Sequence, residues 1–171
     1  MHVMEPATLL SVQEYLGTSF QDGDREYVDG RVVERHGGEI DHAECQTGFV
    51  TFFRARYPQF WSAVAVRVQV SPTRFRVPDV CLVAGPRPAG RIVTEPPFLV
   101  VEVLSPDDRA SDLQEKVDDY LRLGIRCVWV VNPKGPRAFV HTLDGSREAR
   151  DGVLRTVDPV VTVPLADVLP H

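Results

Sequence analysis

Apolar residues form an almost unbroken run in PPFLVVEVLSP, residues 96–106. Such a run of β-branched and aliphatic side chains predicts a strand covered on both faces, as at the centre of a sheet packed by helices. One acid, Glu102, interrupts the run. Removing a carboxylate from water costs several kcal/mol unless a cation, a hydrogen-bond network or a proton compensates it. The pattern therefore predicts a partner for Glu102.

Helical patterns occur in three places. The segment SPDDRASDLQEKVDDYLRLG carries an amphipathic stripe at i, i+4, i+7 and i+8, and Gly124 is a natural stop at its end. Either Ser105 or Ser111 is a candidate cap at its start. The other predicted helices cover residues 11–16 and 39–56.

Extended patterns fill most of the remaining chain. In REYVDGRVVER, Asp29-Gly30 predicts a tight turn between two strands. Alternation predicts one strand with Val64, Val66, Val68 and Val70 on one face. Residues 74–84 are predicted to be extended, with Pro78 at a strand start or bulge. A second buried strand, CVWVVNP, is expected to pair with RAFVHTL. Together these elements predict an α/β fold with helices around a mixed sheet.

Length and composition fit one domain over residues 1–171. Hydrophobic residues make up 43% of the chain and charged residues 25%, which are ordinary globular values. No apolar run approaches the roughly 18 residues of a membrane span, so no membrane association is expected. The N-terminus lacks the pattern of a secretory signal. Three widely separated cysteines, Cys45, Cys81 and Cys127, indicate reduced thiols and hence a cytoplasmic location.

Charge is unevenly distributed. The net charge of −5 argues mildly against a polyanionic partner. However, residues 54–91 contain seven arginines and one acid, whereas residues 95–119 contain eight acids and two bases. These clusters are either solvated faces that arose by chance or a basic surface beside an acidic centre that collects a metal ion. Composition alone does not decide between the two.

Two acids stand out as candidate ligands. Asp79 opens the apolar strand PDVCLVA and Glu102 interrupts the next one, so adjacent strands could place both on one face. Close carboxylates in a poorly solvated site either share a proton or bind a divalent cation, for which oxygen ligands favour Mg²⁺ or Mn²⁺. Alternatively, Asp79 is a turn residue at a strand entry. Lys116, one of only two lysines, either reaches back towards Glu102 or pairs with Asp112 on the helix surface.

Two stretches together resemble a known group of enzymes. RFRVPDVCLV followed by PPFLVVEVLSPDDRASDLQEKVDDYLRLGIRCVWVVNP is similar to the restriction-endonuclease-like PD-(D/E)XK superfamily, and within it to a small bacterial family of Uma-type restriction endonucleases. The resemblance implies a mixed sheet flanked by helices, with an N-terminal hairpin. It implies that Asp79 and Glu102 are catalytic and bind Mg²⁺ with the backbone carbonyl of Val103. The usual lysine position holds Leu104, so Lys116 from the next helix is the expected catalytic lysine.

The resemblance extends to further residues and to partners. It implies a glutamate in the hairpin and a histidine opening the next helix, which Glu34 and His42 match, and Glu44 is a further candidate. The expected function is metal-dependent cleavage of nucleic acid, with DNA as substrate and a homodimer as the assembly. An inactive binding module with the same fold, and an acid–base enzyme without metal, are the alternatives. The arginines expected to hold flanking phosphates are Arg67, Arg74 and Arg76.

Overall fold

The computed structural model describes residues 9–21 and 23–171, which form three helices, a short 3-10 helix and twelve strands. The helices are α1 Val12–Gly17, α2 Ile40–Arg56 and α3 Ala110–Leu123, with the 3-10 helix at Leu165–Asp167. The strands are β1 Glu26–Val28, β2 Arg31–Val33, β3 Trp61–Val64, β4 Val68–Ser71, β5 Arg74–Arg76, β6 Val80–Val83, β7 Leu99–Val103, β8 Cys127–Val131, β9 Ala138–Thr142, β10 Gly145–Glu148, β11 Val153–Arg155 and β12 Thr162–Pro164.

The strands are arranged in two main sheets and a separate hairpin. The larger sheet has the order β10-β9-β8-β7-β6-β3, the smaller one has the order β2-β1-β5-β4, and β11 pairs with β12. Within the larger sheet β7 and β8 run parallel, and α3 connects them, while the other pairs are antiparallel. A parallel pair needs a long crossover, which a helix of this length supplies. The predicted mixed sheet flanked by helices is therefore confirmed.

Local signals explain where the elements begin and end. Ser11 and Glu14 form a reciprocal capping box at the start of α1. Asp29 and Gly30 both adopt positive φ, as the two-residue turn of the predicted hairpin requires. Gly124 ends α3 in the left-handed conformation, as predicted. The predicted caps at Ser105 or Ser111 are wrong, because α3 begins after Arg109, which provides no side-chain cap.

The predicted single strand through Val64 and Val70 is also wrong. Ala65 adopts a φ of 49°, which turns the chain out of the larger sheet, and the chain then enters the smaller sheet at Val68. The segment from Arg74 to Ala84 divides in the same way, with β5 in the smaller sheet and β6 in the larger one. The alternation of valines indicates which positions are buried, but it does not indicate which of the two sheets each residue belongs to.

Both faces of the larger sheet are covered, so all five residues of β7 are buried. On one face α2 packs through Phe49 and Phe53 against Trp129 of β8. On the other face α3 packs through Val117 and Tyr120. Cys45, Cys81 and Cys127 are buried free thiols. Among the described helices, none combines the length and the apolar character that crossing a membrane requires.

Candidate active site

Asp79 and Glu102 occupy opposing positions on neighbouring segments of the larger sheet. In the antiparallel pair of β6 and β7, Val80 lies opposite Val101, so Asp79, one residue before β6, continues this register opposite Glu102. The exposed fraction is 4% for Asp79 and 5% for Glu102. The Val103 N–H donates a hydrogen bond of 2.7 Å to Oδ2 of Asp79, which holds that carboxylate against β7. The structure therefore brings the two predicted acids together on the sheet.

Donors surround the Asp79 carboxylate on its other sides. Its Oδ1 accepts hydrogen bonds of 3.0 Å from Arg35 and from Gln46. Nε2 of His42 lies 3.3 Å from Oδ2, away from the ideal direction of a ring N–H bond, so the contact is chiefly electrostatic. The interaction with Asp79 raises the pKa of His42, against the opposing effect of burial. His42 therefore lies beside Asp79, and the family resemblance had implied a site histidine at the start of this helix.

Glu102 has three means of compensating its burial. The Tyr120 hydroxyl donates a hydrogen bond of 2.6 Å to its Oε1, and the Lys116 ammonium lies 3.7 Å from its Oε2. Burial raises the pKa of Glu102 to about 7, Lys116 opposes this rise, and the negative charge of Asp79 adds to it. The hydrogen bond from Tyr120, the positive charge of Lys116 and, near neutral pH, a proton together compensate the burial of the Glu102 carboxylate.

Lys116 lies between two buried carboxylates. Its Nζ lies 3.2 Å from Oε1 of Glu26 and 3.7 Å from Oε2 of Glu102. Burial opposes the charged form, but the two carboxylates outweigh it and raise the pKa of Lys116 above its usual range. Of the two arrangements that spacing left open, the structure has the one in which Lys116 reaches back over the sheet.

Glu26 is a site residue that the sequence reasoning missed. Its exposed fraction is 0%, and besides Lys116 it accepts hydrogen bonds from Arg76 at 3.0 Å and from the Val77 N–H at 3.1 Å. In a strand of three residues no periodicity marks an inward-facing acid. The available signal was register, since the Asp29-Gly30 turn fixes Glu26 opposite Val33 and so fixes which face it occupies.

A cleft of about 450 Å³ reaches Glu26, Glu102 and Lys116, whereas Asp79 and His42 are not among its lining residues. Its walls come from the β1–β2 hairpin and the start of α3, and its lining includes Glu26, Arg31, Glu34, Glu102, Arg109 and Lys116. Larger cavities of about 540, 600 and 470 Å³ lie beside α1, along α2 and beside α3, and none of the three is lined by Glu102 or Lys116. Chemistry therefore favours the smaller cleft as the functional one.

The remaining acidic candidates lie further out. Glu34 is at the cleft, but its side chain is 74% exposed and pairs with Arg25 at 3.5 Å. Glu44 is exposed on α2 and lines the separate cavity beside the C-terminus. The hairpin glutamate that reaches the centre is therefore Glu26, and the α2 side chain that joins His42 there is Gln46.

The arginines predicted to hold phosphates are all bound to carboxylates of the chain itself. Arg67 pairs with Asp24 at 2.6 Å and lies over the Tyr15 ring. Arg76 is buried between Glu26 and Asp119. Arg74 pairs with Asp29, Glu115 and Asp119, and it is the most exposed of the three, at 24%. Arg74 and Arg76 line the cleft, whereas Arg67 lines the cavity beside α1.

Leu104 occupies the position of the usual superfamily lysine. Its side chain packs against the apolar cluster under α3. Lys116 brings an ammonium to Glu102 at this end of β7, where the resemblance implied that a lysine from the next helix would lie.

Comparison with known proteins assigns the chain to a family. No curated protein matches the chain. Its fold is similar to the crystal structure described as a “putative nuclease belonging to DUF820 from Anabaena variabilis ATCC 29413”, with a TM-score of 0.79, 17% identity, and coverage of 93% of this chain and 97% of that one. The Uma2 family model, described as “Putative restriction endonuclease”, matches residues 12–170. The chain therefore belongs to the Uma2 family and has a nuclease-like fold.

Proposed function

We propose that the chain is a divalent-metal-dependent endonuclease that hydrolyses phosphodiester bonds of DNA. The observation that carries this proposal is the meeting of Asp79, Glu102 and Lys116, from two neighbouring strand segments and a helix, beside a cleft that Glu102 and Lys116 line. Two acids and a lysine in this arrangement suit hydrolysis of a phosphate ester, in which negative charge increases at the phosphorus centre.

The donor set fits Mg²⁺ or Mn²⁺. Burial and neighbouring negative charge raise the pKa of Glu102, so a divalent cation would relieve an electrostatic excess there. The described residues contain no cluster of three or more His, Cys, Asp or Glu side chains arranged around a metal ion. Mg²⁺ commonly uses only one or two carboxylates together with waters and substrate phosphate oxygens. The proposed ligands are accordingly Asp79, Glu102 and the backbone carbonyl of Val103.

Each side chain at the site has a separate task. A bound cation would activate the phosphate electrophilically and lower the pKa of water. Lys116 keeps its proton and places a compact positive charge where the transition state gains negative charge. Glu26 holds that ammonium from one side, and Tyr120 fixes Oε1 of Glu102 by its hydrogen bond.

Substrate contact is proposed at the cleft rim. Among Arg67, Arg74 and Arg76, the position and exposure of Arg74 favour it as the phosphate contact, because Arg76 is committed to two buried carboxylates. Arg109 lines the same cleft and precedes the first turn of α3. Contacts of this kind set the register of the backbone without selecting a base sequence. A homodimer is proposed because cleavage of both strands at once requires two sites.

Plasmid cleavage tests the proposal. Supercoiled DNA is incubated with the chain in Mg²⁺, in Mn²⁺ or in a chelator, and Asp79→Ala, Glu102→Gln and Lys116→Met are assayed beside it. Lys134→Met is the matched control, since Lys134 is the other lysine and pairs with Glu39 on an exposed surface, at 3.1 Å. We expect metal-dependent nicking by the original chain and by Lys134→Met, and none by the three site variants. Equal nicking by all variants would disprove the site.

The leading alternative is an inactive binding module that retains the fold. In that case the folded chain would bind DNA and leave it intact with either metal. Sedimentation of the same preparations at micromolar concentration tests the homodimer separately.

A further inference from the structure

Arg35 is the cation nearest to Asp79 in this structure. Its guanidinium NH2 donates a hydrogen bond of 3.0 Å to Oδ1 of Asp79, and the two side chains are 16% and 6% exposed. Gln46 donates to the same oxygen at 3.0 Å, while Oδ2 accepts from the Val103 N–H and faces His42. A carboxylate oxygen offers two lone-pair directions, so three of the four on Asp79 accept hydrogen bonds, and His42 covers the carboxylate beside Oδ2 from 3.3 Å.

A divalent cation that binds Asp79 must therefore displace one of the four groups that surround this carboxylate. The Val103 N–H belongs to a buried strand and cannot leave without disrupting the sheet. Gln46 and His42 lie on α2, in the middle and first turn of a seventeen-residue helix. Arg35 lies in the irregular link between β2, which ends at Val33, and α2. It is thus the donor whose removal costs the least structure.

The surroundings of Arg35 offer it another position. A cavity of about 150 Å³, lined by Asp24, Arg25, Glu34 and Arg35, adjoins its side chain. Two of these residues are acids, Asp24 paired with Arg67 and Glu34 paired with Arg25, so a displaced guanidinium would share a carboxylate with an existing partner there. Gly38, three residues further on, has a φ of +88°, a conformation that glycine adopts at little cost. Space, carboxylate acceptors and a link without regular structure therefore adjoin the Arg35 side chain.

We propose that Arg35 is a tethered cation that competes with the divalent metal for Asp79. In the metal-free chain the guanidinium neutralises and orients the carboxylate. Metal binding requires it to leave, so the affinity observed is lower than the intrinsic affinity of the ligands. The inference depends on the proposed function only in taking Asp79 as a metal ligand, and it concerns binding rather than cleavage.

Calorimetric titration of the whole chain with Mn²⁺ tests the competition. Arg35→Met removes both the charge and the hydrogen-bond donor, whereas Arg35→Gln removes the charge and retains a donor. If one of the two variants does not fold, the other still tests the competition. Both are expected to bind Mn²⁺ at least about fivefold more tightly than the original chain, the direction that loss of a competing cation requires. Arg87→Met is the matched control, because Arg87 is an exposed arginine in the irregular link between β6 and β7 and lines neither the cleft nor the small cavity, and a change within about twofold is expected there. Adding Asp79→Asn to Arg35→Met should abolish the gain.

The outcomes separate this inference from the proposed function. If the original chain binds Mn²⁺ through Asp79 and cuts DNA, but the folded Arg35 variants bind no more tightly, the competition is disproved and the nuclease assignment stands. Tighter binding by both variants with no cleavage by any protein supports the competition and overturns the nuclease. If neither the original chain nor any variant binds Mn²⁺, both the competition and the metal-dependent nuclease are disproved.

Discussion

The Lys116 ammonium lies 3.2 Å from Oε1 of Glu26, a carboxylate with no exposed surface in the first strand of the chain. This pair joins α3 to the N-terminal hairpin and fixes the lysine beside Glu102. Because a compact ammonium must be placed accurately to stabilise a developing negative charge, the hairpin contributes to the site although it belongs to the other sheet.

The first prediction concerns Lys116 itself. Lys116→Met should leave Mn²⁺ binding intact or slightly tighter, because a positive charge beside the ligands is lost, while cleavage disappears. Unpairing two buried carboxylates should also lower the free energy of unfolding by about 1–3 kcal/mol. Lys116→Arg should remain poor, because a planar fork does not reproduce a point charge. Cleavage assays, titration and urea denaturation measure the three effects. Cleavage by Lys116→Met at the rate of Lys134→Met would remove Lys116 from the mechanism.

The second prediction separates the two acids by their stability without metal. Asp79→Asn weakens contacts with Arg35 and His42, so a loss of about 1–3 kcal/mol is expected. Glu102→Gln keeps an acceptor for Tyr120 and removes a costly buried charge, so its stability should be close to that of the original chain. Melting temperatures with and without Mg²⁺ measure both effects.

Added Mg²⁺ should raise the melting temperature of the original chain by mass action. The melting temperatures of Asp79→Asn and Glu102→Gln should change little. An equal rise in all three proteins would place the metal ligands elsewhere.

The third prediction is a pH dependence of stability. Burial raises the pKa of Glu102 from 4.5 to about 7, so between these values the folded chain retains a proton that the unfolded chain has released. Stability due to this group is therefore present below about pH 4.5 and is lost as the pH rises through 7, by roughly 3 kcal/mol at most. Urea denaturation at pH 5 and at pH 7.5 measures the decline.

Glu102→Gln serves as the reference for this decline, because its side chain does not titrate. His42, whose pKa the Asp79 contact raises, contributes stability that is lost at higher pH in both proteins. The difference between the two proteins thus isolates Glu102. Parallel pH profiles would show that Glu102 has an ordinary pKa.

Much of the fold could be predicted because its signals are local. A continuous apolar run bounded by prolines marks β7, a two-residue turn marks the hairpin, and a helical stripe ending in glycine marks α3. The apolar run also identified Glu102 as a candidate site residue, because an acid among aliphatic residues is unusual. Asp79 and Lys116 followed from the order of the motifs.

The rest depended on contacts that sequence patterns do not encode. Nothing in the sequence around Ala65 indicates its positive φ. The sequence therefore did not predict that the chain leaves the larger sheet after Val64 and enters the smaller one at Val68. Glu26, Arg35 and Gln46 reach the site from separate elements, and only the packing of the hairpin and α2 brings them to the two acids. An acid in a three-residue strand or an arginine in a link is ordinary until its neighbours are known.

The fourth prediction tests whether Glu26 positions Lys116 or only stabilises the fold. Glu26 and Asp119 both bind the buried Arg76, at 3.0 and 2.7 Å, but only Glu26 contacts Lys116. Glu26→Gln and Asp119→Asn should therefore each reduce stability by about 1–3 kcal/mol, since each withdraws a charge from a buried arginine.

Catalysis should distinguish these two variants. Glu26→Gln relaxes the hold on the ammonium, so its kcat should fall about tenfold or more with KM nearly unchanged, because the contact acts mainly in the transition state. Asp119→Asn should keep a kcat within about threefold once rates are corrected for the folded fraction measured by circular dichroism. Glu26→Asp keeps the negative charge on a shorter side chain, so its kcat should lie between those of Glu26→Gln and the original chain. Equal losses of kcat in Glu26→Gln and Asp119→Asn would show that the network acts through stability alone and that Lys116 needs no support from the hairpin.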